Sequence, residues 1–139
     1  MDESGQLLSI PGIPPVIGPA QHAVLDYGVA GTYFTMAAKY RDENRGAAWL
    51  AFLNGAMVLG MSLMTDYPGG VWRKISFRTH GMLDVVQAAF AASGPALFGF
   101  SRRPQARFFY SQAVSELGVI AATDWSADTG STQRALNFS

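Results

Sequence analysis

Two phrases recur at one fixed spacing in this chain, and that recurrence restricts its fold more than any other feature. HAVLD at His22–Asp26 returns as HGMLD at His80–Asp84, and TDY at Thr65–Tyr67 returns as TDW at Thr123–Trp125. Both offsets are 58 residues (80 − 22 = 58; 123 − 65 = 58). Each copy opens on His and Asp, closes on Thr, Asp and an aromatic ring, and holds long apolar stretches between. The unit is a helical hairpin used twice. The expected fold is all-α: a four-helix bundle of two tandem hairpins related by a pseudo-two-fold axis, in a single domain of 139 residues.

Gly46–Thr65 decides between water and lipid as the surroundings. It carries no charge over 20 residues and sits between Arg45 and Asp66, and at about 1.5 Å per residue it covers roughly 30 Å, the thickness of a bilayer hydrocarbon core. Val85–Ser101 is a second uncharged run, a shorter one lies between Asp26 and Lys39, and Glu116 interrupts the fourth, Phe108–Thr123. All four are apolar all round rather than striped, which a soluble amphipathic bundle would not need. Charged residues make up 14% of the chain, against about 25% in typical soluble domains. Small residues recur at four-residue spacing (Ala56 and Gly60; Ala88, Ala92 and Ala96; Ser111 and Ser115), as in helices that pack closely within lipid. Tyr40, Trp49, Tyr67, Trp72, Tyr110 and Trp125 flank the runs, where rings favour the headgroup level. Four transmembrane helices are expected, at roughly 20–40, 47–66, 79–100 and 105–124. The domain spans 20–125, with repeat 1 at 20–67 and repeat 2 at 78–125. Residues 1–19 form an extended Pro/Gly-rich arm and 126–139 a polar tail.

Composition excludes several classes. The formal net charge is zero, so no field attracts nucleic acid. The absence of cysteine excludes disulfides, thiolate metal sites, iron–sulfur clusters and thiol nucleophiles. No Ser or Thr sits in a recognisable nucleophile elbow. MDESGQ is acidic where a secretory signal would be basic. The connections after the first and third helices carry Lys39, Arg41, Arg45, Arg102, Arg103 and Arg107, against Arg73, Lys74, Arg78 and Arg134 on the other side. This asymmetry places the first set in the cytoplasm and both termini in the periplasm of a bacterial inner-membrane protein.

His22 and Asp26 are four apart and share a helix face, as do His80 and Asp84. With Asp66 and Asp124 at helix ends, antiparallel hairpins bring all six groups to one end of the bundle. Three readings are open: a polar clamp tying helix starts to helix ends; a divalent metal site; or a haem or chlorophyll-type pigment ligated by His22 or His80. Glu116 lies mid-helix with Gln112 one turn earlier, and Asn54 holds the position of Gln112 in the first repeat (112 − 54 = 58). This intramembrane patch is read either as an interhelical hydrogen bond or as an ion or proton relay.

HAVLDY from His22, SLMTDYPGG from Ser62, HGMLDVV from His80 and SGPALFGF at Ser93–Phe100 together resemble the small bacterial membrane proteins of the SPW-repeat type. Hairpins of that type begin with His or Trp followed by Leu-Asp or Leu-Asn, and their second helices often finish in SLLTDY. The resemblance covers roughly residues 20–125. It departs at YFTMAAKY, where a Pro-Trp motif would stand, and at Gly94-Pro95-Ala96, which lacks the Trp. It implies four membrane helices and no activity.

The expected function is accordingly non-catalytic: a small accessory subunit of a larger membrane complex of respiratory or photosynthetic type, held to other subunits through the arm and tail. A free-standing metal- or pigment-binding membrane protein is the first alternative, and a small ion- or proton-coupled transporter using Glu116 the second.

Overall fold

A computed structural model describes residues 8–130 as four helices: α1 (Pro19–Tyr40), α2 (Arg45–Met64), α3 (Phe77–Leu97) and α4 (Ala106–Ala122). The all-α expectation holds. The tail beyond residue 130 and the arm before residue 8 lie outside the described residues.

Local chemistry sets the boundaries. Pro19 opens α1 at a position where its missing N–H costs nothing. The Asn44 side chain accepts the Ala47 N–H at 3.0 Å and Ser76 Oγ accepts the Thr79 N–H at 3.1 Å; such caps contribute about 1 kcal/mol each. In α3, Pro95 removes one backbone donor, and Gly99 then turns the chain at φ +76°. The helix stops at Leu97 rather than at the expected 100.

The ends of α2 and α4 depart from expectation in a paired way. Both stop two residues early because Thr65 and Thr123 are extended. Ile75 N–H donates to Met64 O at 2.9 Å and Asp66 N–H to Ile75 O at 2.7 Å; Ile17 N–H donates to Ala122 O and Asp124 N–H to Ile17 O, both at 2.9 Å. These bridges obey the repeat offset (75 − 17 = 58; 122 − 64 = 58; 124 − 66 = 58). The structural repeat thus begins at Ile17 and Ile75, earlier than 20 and 78, and the last residues of the arm belong to it.

α1 packs on α2, α3 on α4, and α2 on α3, while α1 and α4 pack less closely than these pairs. One core, around Tyr33, Leu50 and Phe109, fills the end near the short connections. A second, built from Leu8, Ala23, Tyr67, Phe77, Ile120 and Trp125, covers the motif-bearing end. Gly81 makes that cover close: a Cβ there would stand 2.7 Å from Leu8 and 2.8 Å from Trp125.

Among the described residues, α2 alone is a candidate membrane span by length and composition, and only 39% of its apolar window is buried inside the bundle. The other helices carry inward polar groups that lower their hydropathy. Outer faces between the terminal turns are uncharged and mainly apolar: Val24, Val86 and Val114 are 72%, 60% and 70% exposed, beside a few small hydroxyl residues such as Thr32 and Ser111. Away from the terminal turns of the four helices, the charged residues are Asp26, Asp84 and Glu116, and each is only 8% exposed.

Candidate metal centre

Antiparallel hairpins put the starts of α1 and α3 side by side, and the i, i+4 spacing in each points His and Asp at the same spot. His22 Nε2 lies 3.3 Å from Asp26 Oδ1 and 3.1 Å from Asp84 Oδ2. His80 Nε2 lies 3.0 Å from Asp26 Oδ2 and 3.2 Å from Asp84 Oδ1. The four side chains form a closed ring in which each imidazole faces both carboxylates, and all are buried.

The remaining ring nitrogens meet threonines. Thr65 Oγ1 is 2.7 Å from His80 Nδ1, and Thr123 Oγ1 is 2.9 Å from His22 Nδ1. Each hydroxyl also donates back into its own helix, Thr65 to Met61 O and Thr123 to Val119 O, both at 2.6 Å. A hydroxyl has one proton to give. With it spent on a carbonyl, the oxygen must accept, so Nδ1 carries the hydrogen on both imidazoles and Nε2 faces the carboxylates. The pairing crosses between repeats: the TDY of repeat 1 serves His80, and the TDW of repeat 2 serves His22. The aromatic that ends each phrase covers the same imidazole, Tyr67 with its ring 5.3 Å from His80 and Trp125 4.9 Å from His22. Tyr67 also donates its hydroxyl to Asp26 Oδ2 at 2.8 Å. Burial first, and then the Asp26 carboxylate, holds that hydroxyl well above the ordinary tyrosine range, so it keeps its proton.

A neutral imidazole whose Nε2 lone pair faces two carboxylates is repelled, so a positive species is required at the centre. A proton on His22 Nε2 has a good acceptor in Asp84 Oδ2. His80 Nε2 does not: it is fully buried, it lies 3.0 and 3.2 Å from carboxylate oxygens, and it makes no hydrogen bond of acceptable angle. One ligand atom from each of His22, Asp26, His80 and Asp84 lies within 4.8 Å of the other three. In a tetrahedral site with bonds near 2.0–2.1 Å, ligand atoms stand about 3.3 Å apart; the four N–O distances here, which use both oxygens of each carboxylate, are 3.0–3.3 Å. Two carboxylates, two neutral imidazoles and a divalent ion sum to zero charge, which limits the desolvation cost. The residues fit a divalent ion. They do not fit a haem or chlorophyll-type macrocycle, whose plane would need the space the carboxylates fill.

Asp66 and Asp124, expected beside these four, share their end of the bundle but turn outward. Asp66 pairs with Arg73 at 3.3 Å, and Asp124 Oδ1 accepts from Ser126 Oγ at 2.6 Å. In an extended segment alternate side chains point opposite ways, so Thr65 and Tyr67 face in and Asp66 faces out.

The second polar patch crosses the bundle. Asn54 donates to Leu50 O at 2.8 Å, Gln87 Nε2 donates to Asn54 Oδ1 at 2.8 Å and to Tyr33 Oη at 3.4 Å, and Tyr33 donates to Glu116 Oε1 at 2.9 Å. Every helix contributes a member. Glu116 Oε2 is buried with no hydrogen-bond partner among the described residues. Gln112 lines the cavity beside it. Tyr33 and Gln87 were not singled out from the sequence, because the repeat aligns them with Ala91 and Val29 (91 − 33 = 58; 87 − 29 = 58) and offers no matching signal.

No protein-family model, no curated protein and no solved structure matches this chain.

Proposed function

We propose that this chain is a non-catalytic integral membrane protein of four spanning helices whose duplicated His/Asp end holds a structural divalent metal ion of the first transition row. One observation carries the metal: the buried His80 Nε2, close to two carboxylate oxygens and hydrogen-bonded to neither. Four protein ligands make a closed set, the arrangement of structural rather than catalytic sites. The ion would join α1 to α3 directly. Through Thr65 and Thr123 the same imidazoles reach the ends of α2 and α4, so all four helices meet at one centre.

The membrane reading is supported by the distribution of charge along the helix shafts: acids inside, apolar groups outside. α4, at 17 residues, is at the lower limit of about 17–25 for a span. Loop charge favours a motif-bearing end that faces the periplasm. The SPW-repeat resemblance agrees with this reading.

Purification in mild detergent without chelator, followed by elemental mass spectrometry, tests it. About one zinc, iron or manganese per chain is expected, lost in His22→Ala and His80→Ala. A metal-free wild type that takes up none of the three ions on addition contradicts it.

The accessory-subunit role is a second reading, favoured by the arm. Leu8 and Ile17 are fastened to their own bundle, yet Ile10, Ile13 and Val16 between them are exposed, an apolar strip that a partner subunit would cover.

A further inference from the structure

The metal centre is symmetric about the repeat, and the space beside it is not. A cavity of about 170 Å³ lies between α1 and α4, which pack less closely than the pairs α1–α2, α2–α3 and α3–α4. The repeat explains why it is there. Ser115 and Val119 on its α4 wall correspond to Met57 and Met61 in the first hairpin (115 − 57 = 58; 119 − 61 = 58). Two long side chains are replaced by two short ones, so the gap beside α4 stays unfilled. Two apolar positions of repeat 1 become polar at the same place: Val58 corresponds to Glu116 and Val29 to Gln87 (116 − 58 = 58; 87 − 29 = 58), and all four line the cavity.

The walls are mainly aliphatic, and the ionisable groups among them are Asp26, Asp84, Glu116 and His22, with no Lys or Arg. Glu116 is 92% buried, the complement of its 8% exposure, and its Oε2 has no hydrogen-bond partner among the described residues. Leu25 on α1 and Ser115 on α4 line the cavity and are exposed, which sets its mouth on the flank of the bundle rather than at an end. A mostly apolar pocket with a few convergent polar groups is the usual form of a small-ligand site.

We propose that the α1–α4 cavity binds a small lipid-phase amphiphile with a hydrogen-bond-donating, non-acidic head, a hydroxyl or an amine, anchored on Glu116 Oε2. No Lys or Arg on the walls could pair with an anionic head, and the aliphatic walls leading to the flank take the apolar part. This inference rests on the membrane reading above.

The test uses the full chain in phosphatidylcholine vesicles with dicyclohexylcarbodiimide, a lipid-soluble reagent for buried carboxyl groups, and mass spectrometry of the Glu116 peptide. In the labelling step the carboxyl oxygen adds to the carbodiimide carbon, the acid proton passes to nitrogen, and the O-acylisourea rearranges to a stable N-acylurea. Glu116 is expected to be labelled, and labelling should fall about tenfold when 1-dodecanol, a donor head too weakly nucleophilic to trap the acylisourea, stands at roughly ten times its Kd. Laurate should protect little. Ser115→Met or Val119→Met, which restore the side chains of repeat 1, should protect without any probe. Labelling that no donor-headed probe suppresses, or that laurate suppresses equally, overturns the ligand site and leaves the membrane reading standing. Labelling of Glu116 by a water-soluble carbodiimide alone overturns both.

Discussion

Thr65 Oγ1 lies 2.7 Å from His80 Nδ1, and the two residues belong to different repeats. Thr123 and His22 repeat the relationship across the pseudo-two-fold axis. Each threonine spends its proton on its own helix and accepts from the imidazole of the other hairpin, so each hairpin fixes the tautomer of its neighbour's ligand. Groups that orient a ligating His in this way are worth about 10–100-fold in metal affinity. Thr65→Val should lower zinc affinity by about that factor, and Thr65→Ser should restore most of it. Competition against a fluorescent chelator measures both; equal affinities in Val and Ser variants would remove the threonine from the account.

Tyr67→Phe deletes the hydroxyl that donates to Asp26 Oδ2. A hydrogen bond to a charged group contributes about 1.5–3 kcal/mol, so the variant should melt lower in mild detergent. The Tyr67 hydroxyl is raised above its unfolded value. Its contribution is therefore fully present below the ordinary tyrosine pKa of about 10 and is lost only as pH rises past that through the folded value. The melting difference between Tyr67→Phe and wild type should stay flat from pH 6 to about 9. A difference that vanishes within that window would mean that the hydroxyl is not the donor.

In the proposed metal centre, protons would compete with the ion for the two imidazole nitrogens that face the carboxylates. Acidification should weaken metal binding, with up to about two protons taken up per ion released. Titration in two buffers of different ionisation enthalpy counts those protons. Binding that does not change with pH would place the ion on carboxylates alone.

The arm can be tested without uncovering the centre. Ile13→Asp with Val16→Asp changes the exposed strip and leaves Leu8 and Ile17 in place. The double variant should insert and bind metal as the wild type does, but should leave its native assembly on gentle solubilisation. If it migrates on native gels with the same partners as the wild type, the strip is not the contact.

How much of this could be read in the residues differs between the two polar sites. His22, Asp26, His80 and Asp84 were legible because helical spacing and the 58-residue offset constrain each of them twice. Thr65 and Thr123 stood in the repeated phrases, but their place as imidazole partners was hidden by the assumption that α2 and α4 run on to residues 66 and 124, which would turn the aspartates inward. The bridges to Ile75 and Ile17 reverse that alternation, and they pair segments that no helical period connects. Tyr33 and Gln87 join Asn54 to Glu116 through contacts between helices, and the repeat that exposes the metal centre conceals them. The flank cavity exists through what repeat 2 lacks, Ser115 and Val119 in place of two methionines, and a missing volume becomes visible only in three dimensions.

X-ray absorption at the zinc edge of the zinc-loaded protein tests the central claim most directly. The account predicts four nitrogen or oxygen neighbours at about 2.0–2.1 Å, with the outer-shell scattering of two imidazoles, and loss of that imidazole signal in His80→Ala. An oxygen-only shell without imidazole scattering in the wild type would contradict it.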